Sequence, residues 1–456
     1  MSLLLSLALT GCSFVEVNLP ASTAADVTQP PDSGDAADDS GGTTDSGGTT
    51  DTATNDSGED SGEDTAAEPD TGAPAPAWAP GADTTVIEAE TYSMANGVWL
   101  TDMNRDGLDD LVVTQPTVTS DGLAYQLTIS VYPSNGDGTF GTPTVTNSAP
   151  SGYYPTPILV DLTDDGIPDI VAASGTTISL FSGASGSFNA EVNWSPVDGS
   201  YPITLGSADL DGDGAPEVVV AGQNYDGTGR IDILGRDSAG ALGFTWSYQV
   251  YSYLYAYTMV AADLDGNGRQ SAIFTDAYNP GYVYSAELYD YWGSDFFYLS
   301  GVTNLRFSND SISFGFNTDY DGDGSDELVS NGTDGLQFYD PNVGHAEFLR
   351  INDFESTPTG AVGYDLDGDG TKDALESLYH YEYTDHSYYS SAQLSWNLRG
   401  EDGFGEAEHT DFDIAPWSYG YGSNLAAGDV NADGCGDVAF FDAYTNVHFA
   451  LGACGG

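Results

Sequence analysis

Residues 209–220 read DLDGDGAPEVVV, four carboxylates within nine positions and then an abrupt apolar run. Asp209, Asp211 and Asp213 alternate, Gly214 follows, and Glu217 comes four residues after Asp213. Like charges this close repel one another unless something positive sits among them. Ca2+ takes about six to eight oxygens, and a tight loop of alternating acids can wrap them around one ion. The glycine permits the sharp turn. The chemistry on offer is the holding of a hard cation beside a strand.

The loop recurs. In order the copies are DMNRDGLDDLVV, DLTDDGIPDIVA, DLDGDGAPEVVV, DLDGNGRQSAIF, DYDGDGSDELVS, DLDGDGTKDALE and DVNADGCGDVAF, beginning at Asp102, Asp161, Asp209, Asp263, Asp319, Asp365 and Asp429. Each has a small or apolar run before it, and usually another after it. That is a strand, an acidic turn and a second strand. Successive copies lie 46 to 64 residues apart, enough for about four short strands, the size of one propeller blade. The expected fold is all-β: a seven-bladed β-propeller with calcium loops between the first two strands of each blade. The last copy leaves chain for about three strands, so TTVIEAET at 84–91 is expected to supply the missing outer strand and close the ring.

These loops resemble the FG-GAP and VCBS repeats of integrin α-subunit propellers and of many exported bacterial proteins. The second half of that motif is present in NGDGTFGTP at 135–143, with Phe140-Gly141, and in EDGFGEAE at 401–408, with Phe404-Gly405. The resemblance implies that loop positions 1, 3, 5 and 9 donate side-chain oxygens and position 7 a backbone carbonyl. The third, fifth and sixth copies then offer four carboxylates each: Asp209, Asp211, Asp213 and Glu217; Asp319, Asp321, Asp323 and Glu327; Asp365, Asp367, Asp369 and Asp373. The first offers Asp102, Asn104, Asp106 and Asp110, and the seventh Asp429, Asn431, Asp433 and Asp437. The second has Asp161, Asp165 and Asp169 with Thr163 as a weaker ligand. The fourth has Asp263, Asp265 and Asn267, with Ser271 in place of the final acid, and is expected to be weakest. Up to seven Ca2+ ions are implied, each pinning the turn between two strands. An EF-hand is excluded, because it needs a bidentate Glu at position 12, where the third copy has Val220 in a β-branched run. Mg2+ suits such loops less, since it dehydrates reluctantly and prefers small octahedral sites.

Eight residues before the first Asp of four copies stand Tyr153, Tyr201, Tyr255 and Tyr421, with Trp417 nearby. By symmetry these are expected to ring the channel mouth on the face opposite the calcium loops. Aromatics flanked by acids suit a glycan, by stacking, or a basic protein segment, by cation–π contact. The competing reading packs the tyrosines between blades. A second cluster, YHYEYTDHSYY at 379–389, holds His380, Glu382, Asp385 and His386; a tyrosine-rich hairpin accounts for it better than a transition-metal site.

The elements that must carry these groups are bounded by composition. The 456-residue chain has 8 basic against 71 acidic residues, a formal charge of -63. Nucleic acid is excluded as a partner, and the membrane is a partner only through a lipid anchor, since both surfaces call for basic patches. Residues 1–11 read as an export signal, too short to span a bilayer. LTGC at 9–12 resembles the bacterial lipobox, which implies cleavage before Cys12, acylation of that residue and, with Ser13 following, an outer-membrane lipoprotein or cell-surface location. The segment lacks a base before its apolar run and is short, as an upstream start codon would explain. Residues 12–80 are a Ser/Thr/Gly/Asp-rich linker expected to be disordered, because it has too little apolar surface to offset the entropy of ordering. The head spans 81–456. Cys435 and Cys454 flank a hairpin whose paired positions are expected to sum to 889, which would set them opposite each other as a disulfide.

Two functions follow. The first is a surface-tethered calcium-binding module for adhesion or recognition of a glycan or protein ligand, without catalysis. The alternative is a propeller-fold polysaccharide lyase or hydrolase, but no nucleophile elbow or metalloprotease helix is present in the head, and no acid pair stands out as catalytic.

Overall fold

The runs behind the acidic turns are rich in Val, Ile and Phe, which favour extended backbone, and Gly and Asp punctuate them. The computed structural model describes Thr85–Ile87 and most of residues 97–452. Residues 1–84 and 88–96, the segments 152–155, 196–200, 251–255, 277–282, 303–312, 320–322, 352–355, 413–424 and 442–445, other short loops and the last four residues lie outside the described set. Among the described residues every regular element is a strand.

Six four-stranded antiparallel sheets are each cut from one continuous stretch, namely 97–147, 156–194, 201–250, 256–302, 313–351 and 356–412. They are blades of a β-propeller, numbered here in chain order. A seventh four-stranded sheet among the described residues is composite: Leu425–Gly428, Asp437–Phe441 and Val447–Ala450 are joined at the edge by Thr85–Ile87. Val86 pairs with His448, so the strand expected within 84–91 does close this sheet. Each acidic turn connects the first strand of its sheet to the second, and the first strands of neighbouring sheets touch around the ring.

The second strands explain why the sequence shows continuous apolar runs rather than alternation. In blade 3, Val218 and Val220 pack with Val171 and Leu180 of blade 2, whereas Val219 and Ala221 pack with Ala272 and Phe274 of blade 4. In blade 1, Leu111 and Val113 face Ala439 and Phe449 of the composite sheet, while Val112 meets Ile170 and Phe181 of blade 2. Successive side chains point to opposite faces of a strand. A strand buried on both faces must therefore be apolar at every position.

The Phe-Gly pairs are inter-blade plugs. Phe140 of blade 1 meets Phe449 of the composite sheet edge-on at 4.9 Å, and Gly141 N–H donates to Pro133 O. Phe404 of blade 6 meets Phe338 of blade 5 at 6.5 Å, and Gly405 N–H donates to Leu398 O. Blade 2 uses the same device without the glycine: Phe188 is buried against blade 1, and Asn189 N–H donates to Ser182 O.

One expectation needs adjustment. The hairpin 437–450 pairs Val438 with Ala450 and Phe441 with Val447, so partners sum to 888 and the register is one residue off the expected value. Cys435 lies before this ladder, buried in the seventh acidic turn, and Cys454 lies outside the described residues. The tyrosine-rich segment is a long hairpin, Asp373–Thr384 against Ser387–Asn397, with His380 paired to Ser391. Asp385 and His386 at its tip lie outside the described residues.

Candidate metal centres

All seven acidic turns are wound the same way. In each, the position-6 glycine N–H donates to Oδ2 of the first Asp: Gly107 to Asp102, Gly166 to Asp161, Gly214 to Asp209, Gly268 to Asp263, Gly324 to Asp319, Gly370 to Asp365 and Gly434 to Asp429. In each, the position-7 N–H donates to the side chain at position 5, namely Asp106, Asp165, Asp213, Asn267, Asp323, Asp369 or Asp433. Position 6 is glycine throughout because its φ is positive, from 77° at Gly166 to 94° at Gly324. Among the described residues position 4 is also left-handed, and there Arg105, Asp164 and Ala432 carry positive φ without being glycine.

The residues expected as ligands converge in part. Carboxylate oxygens of Asp209, Asp211 and Glu217 lie within 4.8 Å of one another, as do those of Asp365, Asp367 and Asp373. Positions 1, 3 and 9 thus gather, while Asp213 and Asp369 are turned to hold the loop backbone. In the first turn Asn104 Nδ2 reaches Asp110 Oδ1 at 3.5 Å, and in the second Thr163 Oγ1 reaches Asp169 Oδ1 at 3.4 Å. In the seventh, Asn431 Nδ2 donates to Asp433 at 3.0 Å, and Val430 and Gly452 N–H groups hold the two oxygens of Asp437. Asp321 lies outside the described residues; Glu327 is buried in the same turn. In the fourth turn Asp263 is the hub, and Ser271 is buried where the others place an acid. Asp265 stands at position 3 of the same turn.

The position-9 acids sit at the base of the turn, buried at Asp110, Asp169, Glu327, Asp373 and Asp437 and half-buried at Glu217. Burial pushes Asp110 up to about 6 and Glu217, Asp373 and Asp437 to about 7, and raises Asp169. Burial followed by repulsion from its neighbour Asp213 raises Asp211 as well. Asp110 Oδ2 is buried and has no hydrogen-bond partner, an arrangement that is costly for a carboxylate left alone. An all-oxygen donor set with an orphaned buried oxygen fits a hard divalent cation.

The turns are also stitched to one another, which the motif alone did not announce. Position 8 of one turn grips position 1 of its neighbour at three junctions. Asp109 N–H donates to Asp429 O while Asp109 Oδ2 accepts from Asp429 N–H. Gln270 does the same to Asp209, and Asp326 to Asp263. The second and third turns have Pro168 and Pro216 at position 8, which lack the N–H. There the scarce bases take over: Arg105 reaches Asp165 at 3.8 Å, and Arg236 donates to Thr163 O. Arg399 of blade 6 donates to Asp319 O at 2.9 Å, Lys372 to Asn317 O at 3.4 Å, and Gly436 N–H to Leu366 O at 3.0 Å. The signal was the variation at position 8 and the placement of so few cations beside the turns.

Of the aromatic ring, Tyr201 opens the first strand of blade 3, at the end away from the acidic turn. Tyr153, Tyr255, Tyr421 and Trp417 lie outside the described residues, as does Cys12.

A family model described as an FG-GAP-like repeat matches residues 102–172, 161–220 and 209–273. The chain thus carries FG-GAP-like repeats in three places, spanning its first four acidic turns. No curated protein matches it. Among solved structures, an Agrocybe aegerita lectin that recognises non-reducing terminal N-acetylglucosamine is 16% identical, with a TM-score of 0.45, over 70% of this chain and 81% of that one. BBS1N in complex with ARL6DN is 10% identical, with a TM-score of 0.46, over 80% and 96%. A chain of the mitotic checkpoint complex is 13% identical, with a TM-score of 0.44, over 81% and 95%.

Proposed function

We propose that this FG-GAP-repeat propeller is an exported, calcium-stiffened binding module, tethered by a lipid on Cys12 through the 12–80 linker and presenting its other face to a glycan or protein ligand. Its place is the outer membrane or the cell surface, and its role is recognition without catalysis. The observation that carries the reading is the gathering of Asp209, Asp211 and Glu217, and of Asp365, Asp367 and Asp373, within 4.8 Å in turns that also bridge neighbouring blades. A cation there neutralises the repulsion and locks the junction at once. Asp209, Asp211 and Glu217, with the matching residues of the sixth turn, would hold the ion. Calcium supplies charge neutralisation and a rigid oxygen cage; the chain supplies the hub at position 1 and the buried acid at position 9. A disulfide between Cys435 and Cys454 belongs to the same proposal and would fasten the C-terminus to the seventh turn. The test is a glycan array and a surface-protein pull-down, each run in calcium and in chelator. Calcium-dependent capture supports the reading, and turnover of an acidic polysaccharide at low protein concentration would replace it with the lyase or hydrolase alternative.

A further inference from the structure

The outer strands of the blades are guarded in two ways. Thr144–Asn147, Val192–Trp194 and Thr85–Ile87 are four residues long or shorter. The longer ones carry charge: Asp295 in Asp295–Val302, Glu347 and Arg350 in His345–Ile351, and Glu408 and Asp411 in Glu408–Phe412. Shortness and charge both discourage a foreign strand from pairing with an open edge. Blade 3 has neither guard. Its outer strand, Leu242–Val250, runs nine residues, LGFTWSYQV, without a charge in a chain whose net charge is -63. Among the described residues it pairs only with Gly229–Arg236.

This edge is also pinned from behind. Asp232 lies opposite Val220, on the face of blade 3 turned toward blade 2. There Arg230 Nε donates to Asp232 Oδ1 at 2.8 Å, Arg230 Nη2 donates to Ser247 Oγ, and Ser247 Oγ donates to Asp232 Oδ1. Gln249 Nε2 extends the same face to Thr228 Oγ1 at 3.3 Å. Trp246 and Tyr248 therefore fall on the other face, opposite the buried Ile233 and Ile231, and each is 38% exposed. At the end of the edge away from the acidic turn stands Asp226, exposed, with the hydroxyl and N–H of Thr228 holding its carboxyl below the usual range.

We infer that the outer strand of blade 3 receives an extended basic segment of another protein as a fifth strand. Main-chain hydrogen bonds at an open edge supply affinity, and alternate side chains supply the choice of sequence. Lysine or arginine at alternate positions lies over Trp246 and Tyr248 in cation–π contact, and one more at the end meets Asp226. The charge of the chain draws such a segment in. A second copy fits the edge less well. It carries the same -63, and one strand-to-strand contact is far smaller than a standard interface of about 1,600 Å². The inference rests on the binding-module reading and gives its protein ligand a chemistry and a place on the rim of blade 3.

The test is fluorescence anisotropy with the full-length chain in calcium, at about 0.15 M salt so that long-range attraction is screened. The probes are a labelled peptide of alternating lysine and threonine, its glutamate counterpart, and the lysine peptide N-methylated at every second residue in either phase. The lysine peptide is expected to bind and the glutamate peptide is not. One phase of methylation should abolish binding and the other spare it, because an edge strand engages only every second N–H. Trp246→Lys and Tyr248→Lys should weaken binding about tenfold or more, since each replaces a cation–π contact by like charge. Val145→Lys, the same change of charge on the outer strand of blade 1, should leave it unaltered, and an unchanged thermal midpoint checks that all three fold. Failure of the lysine peptide to bind, indifference to both methylation phases, or equal weakening by Val145→Lys overturns the inference. So does a dimer, or a glycan-array signal, that Trp246→Lys abolishes, because the edge then has another occupant. If the lysine peptide fails while the pull-down still captures a protein in calcium, this edge falls and the binding-module reading stands; if the wild-type chain captures nothing in any assay, that reading falls too.

Discussion

Glu217→Gln should change sign with calcium. Glu217 Oε2 accepts from Leu210 N–H at 2.9 Å, while burial and then repulsion from Asp211, Asp209 and Asp213 push its carboxyl from 4.5 to about 7. Glutamine has the same shape, keeps an oxygen for Leu210, and turns an amide N–H toward the acids gathered with it. At pH 8 in chelator the ionised Glu217 opposes folding. The full gap overstates the cost because the site is partly solvated; after that discount, about 1–2 kcal/mol is released by the substitution. In calcium the same change removes a ligand. An ion present at about a hundred times its Kd contributes about 2.7 kcal/mol, much of which the variant forfeits. The assay is thermal unfolding of wild type and variant at pH 8 in chelator and in millimolar calcium. The variant should melt higher in chelator and lower in calcium. A shift in the same direction under both conditions would refute the reasoning, because Glu217 would then act in the turn independently of a cation.

Other outcomes follow from the same geometry. Ser271→Asp should raise calcium uptake by the fourth turn, read by calorimetry, while lowering stability in chelator, because Ser271 is buried. Gly214→Ala forces a side chain to φ +88 in open space and should cost about 1–2 kcal/mol, whereas Gly368→Ala, at φ +80 with its Cβ 2.7 Å from Gly434 O, should cost more by denaturant titration. Asp109→Ala strands Asp429 N–H and should destabilise by about 1–3 kcal/mol, with faster amide exchange at 425–441. In chelator, stability should fall as pH rises from about 4.5 through 7: the position-9 carboxyls have raised folded values, so the native chain holds more protons than the unfolded one over that window. A flat or rising profile would contradict the burial of these acids.

The blades were legible because their information is local. An acidic turn followed by DLVV or EVVV states a strand, and its unbroken apolarity states burial on both faces, as Val218 and Val219 show by packing on opposite neighbours. The closing strand was legible as a stretch lacking a blade of its own. The hairpin register was off by one because it depends on the geometry of the 442–445 connection, which composition does not specify. The second task of position 5 was not legible for the opposite reason: a carboxylate there looks like a ligand in sequence, and nothing in the sequence says that Asp213 also accepts from Ala215 N–H. The junction contacts stayed hidden because they join residues as far apart as Asp109 and Asp429, and only the alternation of Asp, Gln, Pro, Lys and Gly at position 8 marked them.

Calcium content after equilibrium dialysis addresses the central claim most directly, with the head dialysed against millimolar calcium beside a Glu217→Gln/Asp373→Asn double variant. The account predicts several bound ions per chain, up to one for each of the seven turns, and a smaller number in the variant. A wild-type protein that carries no calcium above the dialysis buffer would contradict it.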